Sequence, residues 1–274
     1  MKELEIWTRA QKEELGFWAS LGKRGITLPP ESLDRFKKCL NLLPLHGYPG
    51  TRILDVGSGP NGGIASVISG QSFKVAIDPL MGKGNISKED LKRINPIQAM
   101  GEYLPLVKTN FDAIFCINVL DHSYYPLKIL TEISRVINKR GIFILMVHIV
   151  TPLAKLVHSI FHRTSFGKIL VQFRMHKIPI FSRALFLLDK FFARIFRVKI
   201  IIDGITHPFY FTSNDVASLL EEANLTINKI ETFPSIWKYK KELFAVARKA
   251  EPIIVGPPRV KKNNYVRKFT PTSV

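Results

Sequence analysis

The stretch TRILDVGSGPNGG, residues 51–63, constrains the folding of this 274-residue chain more than any other. Ile53, Leu54 and Val56 make a short apolar strand that runs without a spacer into Gly57, Gly59, Gly62 and Gly63. A strand that ends in such a turn presents backbone N–H groups at its carboxyl end, where an open α/β sheet binds its ligand. Strand and helix patterns then alternate up to residue 150. Strands are expected at KVAID (74–78), IQAM (97–100), FDAIFCINV (111–119) and GIFILMVHIV (141–150). A helix is expected to open over 64–69, and another to run over 127–138, where Leu127, Leu130, Ile133, Val136 and Ile137 recur at helical spacing. This order predicts a doubly wound, mostly parallel sheet with helices on both faces.

The rest of the chain elaborates that core. Amphipathic patterns predict two N-terminal helices, over 1–20 and 31–43. A helix over 212–224, with Ser213 or Asn214 as its N-cap, precedes strands at 225–233 and 242–249. The connection between those two strands is too short for a crossover helix, so the sheet should have seven strands with the last one antiparallel. We therefore read residues 1–250 as one domain: N-terminal helices (1–45), a binding core (51–150), a basic helical insertion (151–205), and the last helix and strand pair (206–250). Residues 251–274, with four prolines, read as a flexible basic tail.

A composition of 46% hydrophobic and 23% charged residues excludes disordered, collagen-like and disulfide-scaffold classes. Charge is the unusual quantity: the net is +18, and 13 of those charges fall in segments 151–200 and 251–274. Cys39 and Cys116 have neither metal-ligand nor redox spacing, so no metal site and a reducing, cytoplasmic setting are expected. MKELEIWTRA lacks the pattern of a secretion signal, and the uncharged apolar stretch Gly141 to Ala154 is too short to span a bilayer.

Gly57, Gly59 and Gly62 match GxGxxG, which would suit a dinucleotide, but Asp55 stands two residues before the first glycine. A carboxylate there would face a pyrophosphate badly and an ammonium well. Asp78 follows Gly57 by 21 positions, where an acid can bond both ribose hydroxyls. GEYLPL (101–106) then precedes FDAIFCINVLDH (111–122). On these residues the chain resembles the class I S-adenosylmethionine-dependent methyltransferases, over roughly residues 50–150 plus the last helix and strand pair. The resemblance implies a Rossmann-like fold with S-adenosylmethionine held by Asp55, Gly57, Ser58, Gly59 and Asp78. It places Met100, Gly101 and Glu102 on the adenine side, with Met100 where the family usually has an acid, and Asn118 and Val119 beside the methionine part.

Methyl transfer to a hydroxyl needs positioning and a base working near neutral pH, which histidine supplies. His122, His148 and His207 are placed by the sequence at the functional rim. His122 is the first choice as catalytic base, with Asp121 either orienting an imidazole or facing water, and His207 is the second choice or an acceptor contact. The absence of NPPY or DPPY after strand four disfavours a nucleobase amine as acceptor. EELGFW, VAIDPL, NVLDH and HPFYFT together resemble methyltransferases encoded with surface-polysaccharide synthesis, which implies a glycan hydroxyl, free or on a lipid carrier, besides a small-molecule acceptor.

The insertion 151–205 has three readings: a cap over the site, an interfacial helix (182–198) on anionic lipid at the inner membrane face, or a nucleic-acid surface. An RNA-directed methyltransferase and an inactive binding protein of the same fold are the alternative functions.

Overall fold

The computed structural model describes residues 2–42, 50–108, 110–123, 125–156, 209–235 and 240–250. His207, the tail 251–274 and the insertion from 157 onward lie outside the described residues. So do the expectations placed on them, including the position of the insertion over the sheet and the helix at 182–198.

Helices α1 (Lys2–Gly22) and α2 (Pro30–Asn41) lead into β1 (Arg52–Val56) and β2 (Phe73–Ile77). Helix α3 (Lys88–Lys92), β3 (Pro96–Ile97), β4 (Phe111–Ile117), α4 (Pro126–Val136) and β5 (Ile137–Ile149) follow. Helix α5 (Ser213–Glu222), β6 (Leu225–Pro234) and β7 (Lys241–Lys249) close the domain. All seven strands form one sheet in the order β3-β2-β1-β4-β5-β7-β6. Pairing is parallel from β3 to β5, while β7 runs antiparallel to both β5 and β6. The expected sheet is therefore the observed one.

Parallel central strands are covered on both faces, and their sequences show it in continuous apolar runs. Leu54, Val56, Ile114, Cys116, Leu145 and Val147 point to one side, where α4 and α5 bring Ile129, Ile133, Val216 and Leu220. Ile53, Phe115, Ile144 and Met146 point to the other, against Phe36 and Cys39 of α2. Alternate residues of each strand thus feed the two clusters. The carboxyl ends of β1, β2 and β4 converge on one edge, and the order reverses between β1 and β4, which opens a crevice there.

The structure corrects several local expectations. Residues 64–69 form no α-helix, only a 3-10 turn at Gly63–Ser66. Ser66 Oγ bonds back to the Gly63 carbonyl at 2.7 Å, Asp55 takes the Ala65 N–H, and only six residues separate Gly63 from Gly70. That is too short a run to repay helix nucleation. Strand three is confined to Pro96–Ile97, and the short α3, its N-cap Ser87 accepting from Asp90 N–H, had no expectation. Strand five starts at Ile137 rather than 141, because Ile137 pairs with Phe111 before the register shifts. The N-cap of α5 is Thr212, not Ser213 or Asn214: a capping box joins Thr212 and Asp215.

Among the described residues, no helix is long and apolar enough to cross a membrane.

Candidate active site

The crevice at the carboxyl edge is lined by Asp55, Gly57, Ser58, Gly59, Asp78, Gly101, Glu102, Asn118, Val119 and His122. The sequence had named all ten. They come from the ends of β1, β2 and β4 and from the loop after β3, so the topology alone brings them together. Two N-terminal helices complete the walls with Gln11, Glu14 and Trp18 from α1 and with Arg35 and Phe36 from α2.

Gly57 sits at φ 73°, and a Cβ there would collide with the Val119 side chain. The bare backbone is what lets the β1 turn approach the β4 turn. Gly57 and Ser58 both donate to the Ile77 carbonyl, at 2.8 and 3.1 Å, which ties the glycine turn to the end of β2. A side chain at Gly59 would meet the Trp18 ring, so α1 lies directly over this turn.

Asp55 is 2% exposed, and its Oδ2 accepts the Ala65 N–H at 3.1 Å. Burial pushes its carboxyl up to about 7, against the partial opposition of backbone N–H donors. Asp78 accepts from Gly59 N–H through Oδ2 at 2.8 Å and from Leu80 N–H through Oδ1 at 2.7 Å. Burial raises it to about 6, with the Glu14 carboxylate adding to the rise. Each carboxylate oxygen retains a second lone pair, so both carboxylates can still accept from a ligand. Glu102 is also buried and accepts the Tyr125 N–H at 3.4 Å.

Asn118, the first residue after β4, adopts φ 59°, a left-handed conformation that asparagine tolerates better than most residues. Its Nδ2 lies 3.4 Å from His122 Nε2. Its Oδ1 is buried without a hydrogen-bond partner among the described residues. A buried carbonyl oxygen left in this state inside a crevice is an acceptor awaiting a ligand's donor.

Met100 and His148 are not among the described lining residues. The Met100 carbonyl instead closes the turn with Tyr103 N–H at 3.1 Å. His148, at the carboxyl end of β5, is 6% exposed. Asp121 is 2% exposed, so it does not face water, and the imidazole beside it is that of His148, whose Nδ1 is 3.7 Å away. Glu14, Trp18 and Arg35 were not found from sequence. For Arg35 a signal existed: it shares the apolar stripe of α2 with Phe36 and Cys39. Among the described residues no group of three or more His, Cys, Asp or Glu is arranged to hold a metal.

Residues 54–145 match a family model described as a methyltransferase domain. No curated protein matches the chain. Two solved structures illustrate the fold relationship. One is a 1,6-didemethyltoxoflavin-N1-methyltransferase from Burkholderia thailandensis, with bound 1,6-didemethyltoxoflavin and S-adenosylhomocysteine. It is 14% identical with a TM-score of 0.56, covering 89% of each chain. The other is the [4+2]-cyclase SpnF, 13% identical with a TM-score of 0.60, covering 90% of this chain and 96% of that one. Residues 54–145 match a methyltransferase domain, and the sheet order and crevice around them are those of the class I S-adenosylmethionine-dependent methyltransferase fold, so together they support a methyltransferase of that class. Since a cyclase shares the fold, the fold does not by itself name the acceptor.

Proposed function

We propose that this methyltransferase acts on a hydroxyl of a small molecule, with His122 as the base. The observation that carries the reading is the grouping of Asp55, Asp78, Glu102, Asn118 and His122 in one crevice. S-adenosylmethionine fits the residues present. Its sulfonium and ammonium suit a cleft with four carboxylates, Glu14 included, and its hydroxyls suit the remaining lone pairs of Asp78. Its ammonium or an acceptor N–H or O–H would satisfy Asn118 Oδ1. Asp55, Gly57, Ser58, Gly59 and Asp78 would hold it, with Gly101 and Glu102 at the adenine and Asn118 and Val119 at the methionine end. When bound, it supplies an electrophilic methyl group.

The chain's own contribution is then positioning and proton handling. Asn118 Nδ2 lies 3.4 Å from His122 Nε2, within reach to donate to it in the tautomer that leaves Nε2 an acceptor. An acceptor hydroxyl entering beside Val119 would replace the Asn118 amide there and give its proton to Nε2. A glycan hydroxyl, on a lipid carrier brought by 182–198 to an anionic surface, is the more specific form of this reading. It rests on sequence resemblance and pattern.

The test is methyl transfer from labelled S-adenosylmethionine to small-molecule, glycan, lipid and RNA fractions. His122→Gln is expected to lower turnover by about 10²–10⁴-fold while leaving S-adenosylhomocysteine binding intact. Unchanged turnover would remove His122 from the chemistry. Label appearing only in RNA would overturn the acceptor class.

A further inference from the structure

The crevice is electrically divided, and the division follows strand order. Asp55, Asp78 and Glu102 stand at the ends of β1 and β2 and after β3, with Glu14 over them from α1. Arg35 is the one Lys or Arg among the described lining residues, and its contacts lie at the opposite end of the sheet. Its Nε donates to Glu242 Oε1 at 2.8 Å, and its Nη2 lies 3.2 Å from His148 Nε2. His148 and Glu242 are directly paired across β5 and β7. From β1 to β7 is three strand spacings, about 14 Å, so the guanidinium belongs to the half of the crevice beyond the cofactor carboxylates.

Arg35 is 6% exposed, and a buried guanidinium normally spends its donors on protein acceptors. Here, among the described residues, its hydrogen bonds use Nε and one N–H of Nη2. Among the described residues, three of its five donors, including both on Nη1, have no protein acceptor. Glu242 does not belong to Arg35 alone, because Lys38 Nζ stands 3.6 Å from its Oε2. By donating to Nε2, Arg35 sets the neutral His148 tautomer with its proton on Nδ1, toward Asp121. Glu242 and His148 therefore hold the guanidinium of a residue that also lines the crevice.

We infer that Arg35 is the recognition residue for an anionic group, a carboxylate or phosphate, on the methyl acceptor. This rests on the methyltransferase reading and narrows its substrate class to small acidic molecules. A guanidinium fork suits either oxyanion, and one that is already oriented loses little freedom on binding. Glu242 and His148 act as positioning residues: they touch Arg35, not the acceptor.

The test is calorimetric titration of the full chain with acetate and with inorganic phosphate, each with and without saturating S-adenosylhomocysteine. Wild type is expected to bind at least one of the two, and the tighter one identifies the group. Arg35→Met should weaken that binding by about tenfold or more. Glu242→Gln should tighten it, since the competing carboxylate is gone. A strut that merely ties α2 to β7 predicts something else: equal destabilisation by both changes and no opposite effects on anion binding. Arg35→Met strands Glu242 in the interior, so the double variant Arg35→Met/Glu242→Gln, which removes both charges, supplies a folded protein for the same titration. Anion binding retained in the double variant, or absent in wild type, overturns the inference. Failure of S-adenosylhomocysteine to bind wild type would instead overturn the methyltransferase reading, and the titrations without it would still decide the role of Arg35.

Discussion

Asp55 and Asp78 are carboxylates that burial in the crevice holds partly protonated near neutrality, and a cationic ligand bound beside them would favour their ionised form. Burial lifts both folded-state values, to about 7 and about 6, above the 3.8 of an ordinary aspartate. Their contribution to stability is fully present below pH ~4 and is lost as pH rises through 6 and 7. Asp34, Glu132 and Asp215 are shifted the other way, so their contributions are lost only in acid. Without cofactor, the melting temperature should therefore fall between pH 5 and 8, and less so in Asp55→Asn. S-adenosylmethionine binding at pH 6.5 should release protons, seen as a dependence of the calorimetric heat on buffer ionisation enthalpy. A heat independent of buffer would refute that coupling. Asp78→Ala should weaken binding by about 1–3 kcal/mol, from the loss of charge-assisted bonds to ribose, and also loosen the glycine turn by freeing Gly59 N–H.

At the scale of elements, α4 does more than cover the sheet. Arg135 Nη1 donates to the Leu106 carbonyl at 2.7 Å and Nη2 to the Leu104 carbonyl at 3.0 Å, while Glu132 Oε2 accepts the Leu104 N–H at 3.1 Å. Glu132 and Arg135 are themselves joined at 2.6 Å, and that contact holds the Glu132 carboxyl below its usual range. The pair clamps the backbone of GEYLPL, the loop that delivers Gly101 and Glu102 to the crevice. Arg135→Met should raise amide exchange over 103–106 and weaken S-adenosylhomocysteine by several-fold without touching the ligand; unchanged exchange there would show that the clamp is idle. Thr212→Ala should lower global stability by about 1 kcal/mol through loss of the α5 cap. The strands, the antiparallel last strand and the ten crevice residues were legible because apolar runs, glycine spacing and a short connection are local properties of the chain. The helix misjudged at 64–69 shows the limit: its apolar residues fit a helix, but two glycines and the Asp55 carboxylate from β1 decide otherwise. The partners of Arg35 were beyond that reach, since Glu242 and His148 lie 207 and 113 residues away in sequence.

Over the whole molecule, charge is divided against itself. The crevice gathers four carboxylates, yet the chain carries +18, and segments 151–200 and 251–274 hold 13 of those charges. Among the described residues, the crevice is lined by these acids with Arg35 as the one Lys or Arg. Lipid and nucleic acid make different demands on the excess of bases. In SRALFLLDKFFARIFRV (182–198), Arg183, Lys190, Arg194 and Arg197 would suit either partner, but Phe186, Phe192, Ile195 and Phe196 recur at helical spacing beside them. Phosphate binding alone leaves that apolar series without a purpose, whereas an anionic membrane surface uses both. For the lipid form of the proposed function, the full chain should co-sediment with vesicles containing phosphatidylglycerol and not with phosphatidylcholine alone. Changing Phe192 and Phe196 together to Ser should abolish this while S-adenosylhomocysteine binding and the thermal transition persist. Burial of the same residues within the protein predicts the reverse, a loss of stability with no vesicle binding to lose. Retention of vesicle binding in the double variant, removed by salt alone, would leave only the bases at work and reduce the contact to electrostatics that RNA could satisfy equally.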